Sequence, residues 1–434
     1  MRHRNLLALG AAVLLAGACA GNDGNTGNKT DGGCVHVVDE NTGRTAASCL
    51  PTAPAGARVD LAAPAFTHPT PVTNPLHPSS RVAQTIYGGQ VDDKPFRTEV
   101  TRLPDPKTIT WDGRTIPALA AQYAAYSDGR IEEVAVDWFA QADDGSVWYL
   151  GEDVFNYADG VVADTEGTWQ AGRDGAPGAM IMPAHPAKGD VYRPENLPGV
   201  VFEEVRVKAT GQTVEGPYGK VAGAITVHEL HMDGSTEDKV FAPGYGEFST
   251  GSVDGDLEAV SLAVPTDAEQ GAPPTELAAL DRAVGTVRDG TVTREDVASV
   301  RGAWTAYRAA DDVPALLVRQ MDRDLDALEK APADRAAALR VEQNLTDLHL
   351  RYEPVAAVDQ ERLGVWARQL GIDARAGDTG AVAGDVTSLE LVRQRTGGED
   401  AALDAELKRA REAADRKDTQ EAGRVAGRLV GEVG

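Results

Sequence analysis

Ile131-Glu132-Glu133-Val134-Ala135-Val136-Asp137-Trp138-Phe139-Ala140-Gln141, then Asp143-Asp144-Gly145, then Ser146-Val147-Trp148-Tyr149-Leu150-Gly151-Glu152-Asp153, is the stretch that decides the fold. Two runs rich in β-branched and aromatic residues flank an Asp-Gly cluster, which is the signature of a β-hairpin. The same pattern recurs on both sides. Arg97 to Thr101 alternates, as does Thr108 to Trp111 before the Asp112-Gly113 turn; Glu203 to Lys208, Val221 to Met232 and Lys239 to Phe241 continue the series. Many such strands joined by Asp-Gly and Pro-Gly turns predict an antiparallel sheet, barrel or sandwich over residues 79–265.

Beyond a short linker at 266–274, marked by Gly271 and Pro273-Pro274, the apolar period changes from two to that of a helix. Leu277, Leu280 and Val284 share a face, as do Leu316, Leu317, Met321 and Leu325, and Leu345, Leu348 and Tyr352. Thr293 with Asp296 reads as a capping box, and Gly371 and Gly397-Gly398 read as helix ends. Asp334, Asp378 and Asp418 recur in polar turns about one helical hairpin apart. Residues 275–434 are therefore expected to form an all-α bundle of helical hairpins, with the charged hairpin Ala401 to Val430 at its periphery. The fold class is α+β and multidomain.

The N-terminus addresses the chain to a compartment. Arg2 and Arg4 precede an apolar run from Leu6 to Leu15, and Ala16-Gly17-Ala18 leads to Cys19. Residues 1–18 read as a lipoprotein signal peptide that leaves Cys19 as a lipidated N-terminus; the same Ala16-Gly17-Ala18 would also serve ordinary secretion. The cysteine count favours the lipid. Cys19, Cys34 and Cys49 are an odd set for an oxidising compartment; a lipid on Cys19 leaves Cys34 and Cys49 as one disulfide. Val35 to Val38 and Arg44 to Ser48 can pair antiparallel around Asp39 to Gly43, so residues 34–49 are expected to be a disulfide-closed hairpin. Residues 19–33, dominated by Gly, Asn, Asp and Thr, read as a flexible tether, and the Pro-, Ala- and Thr-rich 50–78 as a semi-extended linker.

At 434 residues and 42% hydrophobic, the chain has room for two or three domains with sizeable cores. The net charge of −25, which becomes −27 if Arg2 and Arg4 leave with the signal, argues against nucleic acid and against docking on anionic lipid by charge. No second apolar run is long enough to span a bilayer.

Two groups of motifs resemble uncharacterised bacterial exported proteins. One runs from Asp137-Trp138-Phe139-Ala140-Gln141 through Val147-Trp148-Tyr149-Leu150-Gly151-Glu152-Asp153 and Glu166-Gly167-Thr168-Trp169 to Phe241-Ala242-Pro243-Gly244-Tyr245-Gly246. The other, Leu350-Arg351-Tyr352, Asp359, Arg362, Trp366-Ala367-Arg368-Gln369-Leu370 and Gly384-Asp385-Val386, is similar to helical domains of actinobacterial lipoproteins. The resemblance implies compartment and architecture and brings no activity or catalytic residues with it.

Candidate chemistry lies in the β domain. If Asp144-Gly145 is a two-residue turn, Asp137 faces Glu152, and a cation such as calcium between them would offset their repulsion. A three-residue loop puts Gly151 opposite Asp137 instead. Trp138, Trp148, Tyr149 and Trp169 either wall a ligand pocket or fill the core. Met180 and Met182, near His185 and followed by His228 and His231, form a thioether–imidazole set of the type that suits copper. The pair Asp359 and Arg362 reads as a structural clamp. There is no G-x-S-x-G, S-x-x-K, Walker A or dinucleotide motif. The expectation is a membrane-anchored extracytoplasmic lipoprotein that binds a small ligand or an envelope partner without catalysis, the alternative being a calcium- or copper-binding envelope protein.

Overall fold

A computed structural model of the chain describes residues 34–39, 43–251, 256–288 and 292–433. The expected signal peptide, Cys19 and the expected tether lie outside the described residues. The chain begins with a hairpin of strands β1 (His36–Asp39) and β2 (Arg44–Cys49), closed by a Cys34–Cys49 disulfide. Val35 and Leu50 at its base pack on Phe202 and Leu230, so the hairpin is fastened to the main sheet.

That sheet has fifteen antiparallel strands and is not closed. They are β3 (Gln84–Val91), β4 (Lys94–Arg102), β5 (Lys107–Trp111), β6 (Arg114–Ser127), β7 (Arg130–Gln141), β8 (Val147–Ala158), β9 (Val161–Asp164), β10 (Trp169–Gln170), β11 (Ala179–Met182), β12 (Val191–Leu197), β13 (Val201–Gly216), β14 (Gly219–His231), β15 (Thr236–Ala242), β16 (Gly246–Gly251) and β17 (Leu257–Val264). Their order is β10-β8-β7-β6-β4-β3-β17-β16-β15-β14-β13-β12, with β9 and β11 also on β8 and β5 also on β6. The sheet curls, because Trp138, Leu150 and Met182 from one end share a core cluster with Val205, Val207 and Phe241 from the other.

The 50–78 segment is more than a connector. Val72 and Leu76 are buried in that core, and the Asn74 side chain donates to the carbonyls of Gly145 and Pro183 at 3.0 and 3.1 Å. Gln141 Oε1 in turn accepts from the amides of Thr73 and Asn74. The segment is thus pinned across the turn end of the β7–β8 hairpin.

Eight helices follow: α1 (Thr275–Arg288), α2 (Arg294–Ala310), α3 (Ala315–Lys330), α4 (Arg335–His349), α5 (Val355–Ala376), α6 (Thr379–Thr396), α7 (Ala401–Asp415) and α8 (Thr419–Val433). Their starts are written in short polar side chains. Thr293 and Asp296 form the expected capping box on α2, and Asp334 and Asp378 accept backbone N–H groups at the starts of α4 and α6. Asp418 does the same for Glu421 in α8. Gly397 ends α6 as expected, but Gly371 lies inside α5, which ends at Gly377 in the left-handed region. Gly371 sits in the helix interior facing α8, where a Cβ would make only an ordinary contact, 3.6 Å from that of Ala426. The charged hairpin of α7 and α8 buries Leu403, Leu407, Val425 and Leu429 against α5 and α6.

The helices dock on the convex face of the sheet. Ile86, Leu262 and Val264 join the core of α1–α4. At the other contact, α6 meets the β8–β9 turn backbone to backbone; a Cβ on Gly160, whose φ is +73°, would fall 1.9 Å from the Gly380 carbonyl oxygen. Between these contacts lies a buried ionic lattice. Arg362 bonds Asp359 at 2.7 Å and Asp347 at 3.1 Å, Arg97 bonds Asp347 at 2.5 Å and Glu99 at 2.9 Å, and Arg395 pairs with Glu99 and donates to Gln122 at 2.6 Å. Three guanidinium groups thus face three carboxylates. Burial opposes ionisation of Glu99, but Arg395, Arg362 and Arg97 together hold its carboxyl well below the usual range.

Candidate binding cavity

Alternation along the curled strands sends every second residue to the concave side, where it lines a cavity of about 110 Å³. That is room for several waters or one small ligand. Two kinds of side chain dominate the lining. Seven aromatics face it: Tyr87, Tyr123, Phe139, Tyr149, Tyr192, Phe241 and Tyr245. So do five acids, Asp137, Glu195, Glu203, Glu229 and Glu247, with the single ammonium of Lys239.

The acids are juxtaposed by register. Glu195 pairs with Glu203 and Glu203 with His231 across β12, β13 and β14, while Val205, Glu229 and Glu237 make the next row. Lys239 Nζ lies 2.7 Å from Glu229 and 3.2 Å from Glu237, and His231 lies 3.4 Å from Glu203 and 3.6 Å from Glu237. On the opposite wall Asp137 pairs with Glu152 across β7 and β8, and the Tyr149 hydroxyl donates to Asp137 at 2.7 Å.

Opposition of Asp137 and Glu152 is reached by an unexpected route. The β7–β8 loop is Asp143-Asp144-Gly145, closed by Ala142 N–H donating to the Ser146 carbonyl at 2.8 Å, which by itself would bring Gly151 opposite Asp137. A bulge then absorbs an extra residue at Leu150-Gly151 and restores the pair. Gly151 is required there: its φ is +122° and a Cβ would lie 2.3 Å from the Trp169 carbonyl oxygen.

Behind the lining, one carboxyl oxygen each of Glu133 and Glu237 is buried without a hydrogen-bond partner among the described residues, and buried Glu152 lies against the lining residue Glu195, close enough for the two carboxyls to share a hydrogen bond when one is protonated. Burial raises Asp137 to about 7, and raises Glu229 to about 7 with help from Glu203. Burial, and then the charges of Glu195 and Asp137, push Glu152 well above the usual carboxylate range; Glu195 rises through burial and Glu203. Burial also lifts Glu258, on β17 and outside the lining, to about 8. Glu203 is the exception. Burial opposes its charge, yet the His231 hydrogen bond and Lys239 hold it at about 2. His231 and Lys239, for their part, are held protonated against burial by the surrounding acids. Near neutral pH the cavity therefore stores protons where a bound cation could stand.

Of the aromatic set read from the sequence, Tyr149 reaches the cavity. Trp138, Trp148 and Trp169 are buried in the core, Trp148 donating to Ser146 Oγ at 3.0 Å and Trp138 lying under the Lys107 ammonium at 4.6 Å. Met180 and Met182 are core residues as well, on β11 against β8, and His185 is exposed beyond the strand. Among the described residues, two groups of three or more His, Cys, Asp and Glu bring ligand atoms within 4.8 Å of one another: Glu229, His231 and Glu237 in the β domain, and His349, Glu353 and Glu361 in the helices. In the second, the imidazole of His349 is already held between Asp281 at 2.9 Å and Glu361 at 2.7 Å. Glu195, Glu203, Glu229 and Lys239 escaped the sequence reading, for each is one polar residue in an alternating strand until pairing across strands gathers them.

No protein-family model, no curated protein and no solved structure matches this chain. The site stands on its own geometry.

Proposed function

We propose that this chain is a lipid-anchored extracytoplasmic binding protein whose β domain holds a small organic ammonium ligand in the acidic, aromatic cavity. The observation that carries this reading is the gathering of five buried or half-buried acids and seven aromatics on one cavity. A buried carboxylate needs a counter-charge or a proton, and aromatic faces attract a desolvated cation. Asp137 and Glu195 supply the negative end, with Glu152 behind them, while Phe139 and Tyr149, their centroids 5.0 Å apart, line the space beside it. Lipid on Cys19 and a tether at 19–33 would hold the domain at the membrane; no helix of the described residues is long and apolar enough to cross one.

Calorimetric titration of the full chain with tetramethylammonium, n-butylammonium and neutral n-butanol tests the reading. An ammonium should bind with release of protons, more tightly at pH 8 than at pH 6, because the charge displaces protons from carboxyls that titrate near 7. Glu195→Gln should weaken it about tenfold or more. Equal binding of butanol, or an affinity indifferent to pH and to Glu195→Gln, would remove the basis of the proposal.

A metal reading is favoured by one feature, the convergence of Glu229, His231 and Glu237. Against it, Lys239 already places an ammonium between Glu229 and Glu237, so a metal ion would have to expel Lys239 and deprotonate His231. Calcium at Asp137 and Glu152 would show, on titration with the metal itself, as an uptake that Asp137→Ala abolishes; Met180 and Met182, buried in the core, and His185, exposed beyond the strand, do not converge as a copper set.

A further inference from the structure

A second cavity, of about 330 Å³, lies where the helical domain meets the β6–β7 turn. It is within the size range of small-molecule sites and sits at a domain boundary, where such sites concentrate. Its character is opposite to that of the first. Helices α3, α4 and α5 line it with Arg323, Arg340 and Trp366, the sheet adds Arg97 and Arg130, and Leu339 and Val365 provide apolar wall.

The accounting of charge singles out one guanidinium. Arg97 belongs to the balanced lattice with Asp347 and Glu99, and Arg130 is held by Asp373 at 2.5 Å. Arg323 grips both oxygens of Asp324, at 2.9 and 3.0 Å, and Asp324 also accepts from Asn344 at 2.8 Å. Arg340 is left with Asp324 at 3.9 Å and makes no hydrogen bond among the described residues. Nearby, the Trp366 indole N–H is buried without a partner, and its ring is stacked on Tyr126 with centroids 5.3 Å apart. A guanidinium held only by one long ion pair and an apolar wall converge on this cleft, whose lining carries four arginines against Asp128 and Asp324, in a protein whose net charge is −25.

We infer that this interdomain cleft binds a small organic anion, its carboxylate or phosphate head on Arg340 and its apolar body against Leu339, Val365 and Trp366. A planar guanidinium suits either head, since both accept its parallel N–H groups. The inference is independent of the ammonium reading, so the two can fail separately.

Calorimetric titration of the full chain with benzoate, phenyl phosphate and benzyl alcohol at fixed ionic strength is the test. At least one anion should saturate a single site, with benzyl alcohol about tenfold weaker or more, the scale of a charge-assisted hydrogen bond. The stronger of the two anions identifies the head. Arg340→Ala should remove that advantage and leave benzyl alcohol unchanged; Arg340 is partly exposed, so the fold should tolerate it. Ala336→Trp, which fills the cleft from the first turn of α4, should abolish binding of all three while the chain keeps its cooperative melting. Failure of both anions to saturate, equal binding of benzyl alcohol, or anion binding that survives either variant would overturn the inference.

Discussion

Asp137→Asn should make the empty protein less sensitive to rising pH. The Asp137 carboxyl is raised from the ordinary 3.8 to about 7 by burial, so the folded state holds a proton that the unfolded chain has released. A folded state with more bound protons loses stability as pH rises, from above the unfolded value until the folded group itself ionises. At 1.36 kcal/mol per unit, moving from pH 5 to pH 8 should cost about 2 to 3 kcal/mol through this one group. Asparagine has no proton to lose, and its Oδ1 can still accept from the Tyr149 hydroxyl, which sits 2.7 Å from the Asp137 carboxyl. Urea unfolding of wild type and Asp137→Asn at both pH values, after exhaustive dialysis, reads the difference directly. The fall in unfolding free energy between pH 5 and pH 8 should be about 2 to 3 kcal/mol smaller in the variant. An identical fall in the two proteins would mean that Asp137 is ionised in the folded state, and the picture of a proton-filled cavity would be wrong.

Other substitutions probe the frame around the cavity. Arg395→Ala leaves Glu99 buried against two guanidinium groups in place of three and uncovers Gln122; it should destabilise the chain by about 3 to 5 kcal/mol in urea. Gly160→Ala drives a methyl into the Gly380 carbonyl and should cost about 1 to 3 kcal/mol, with faster hydrogen exchange at the start of α6. Cys34→Ser with Cys49→Ser should free the hairpin from Phe202 and Leu230, seen as early proteolytic cleavage before residue 50 with the cavity titrations unchanged. Cys19→Ala should move the protein from the membrane fraction to the soluble exported fraction and end incorporation of labelled palmitate; persistence on the membrane would dismiss the anchor.

Much of the architecture is legible because its determinants are local. The alternation in Ile131 to Gln141 and the polar starts at Thr293, Asp334 and Asp378 each act within a few residues, and each gives the element expected of it. Gly371 shows the limit, since a glycine that ends a helix and a glycine in the middle of one look the same in one dimension. The pair Asp137 and Glu152 illustrates another. Its register depends jointly on loop length and on a bulge at Gly151, and neither alone predicts it. The cavity is least legible. Glu195, Glu203 and His231 become neighbours through the pairing of three strands, and Asp137 faces the same space only because the sheet curls. Trp138, Trp148 and Trp169 drew attention by size, but it is the smaller tyrosines on the concave side that meet the acids.

If the acidic cavity holds an organic cation, native mass spectrometry of the exported chain, purified without chelator or affinity metal and paired with elemental analysis, should show one small nitrogen-containing adduct per chain, no stoichiometric metal, and loss of the adduct in Glu195→Gln. A bare mass that takes up no ammonium on addition, or a stoichiometric metal in place of the adduct, would contradict it.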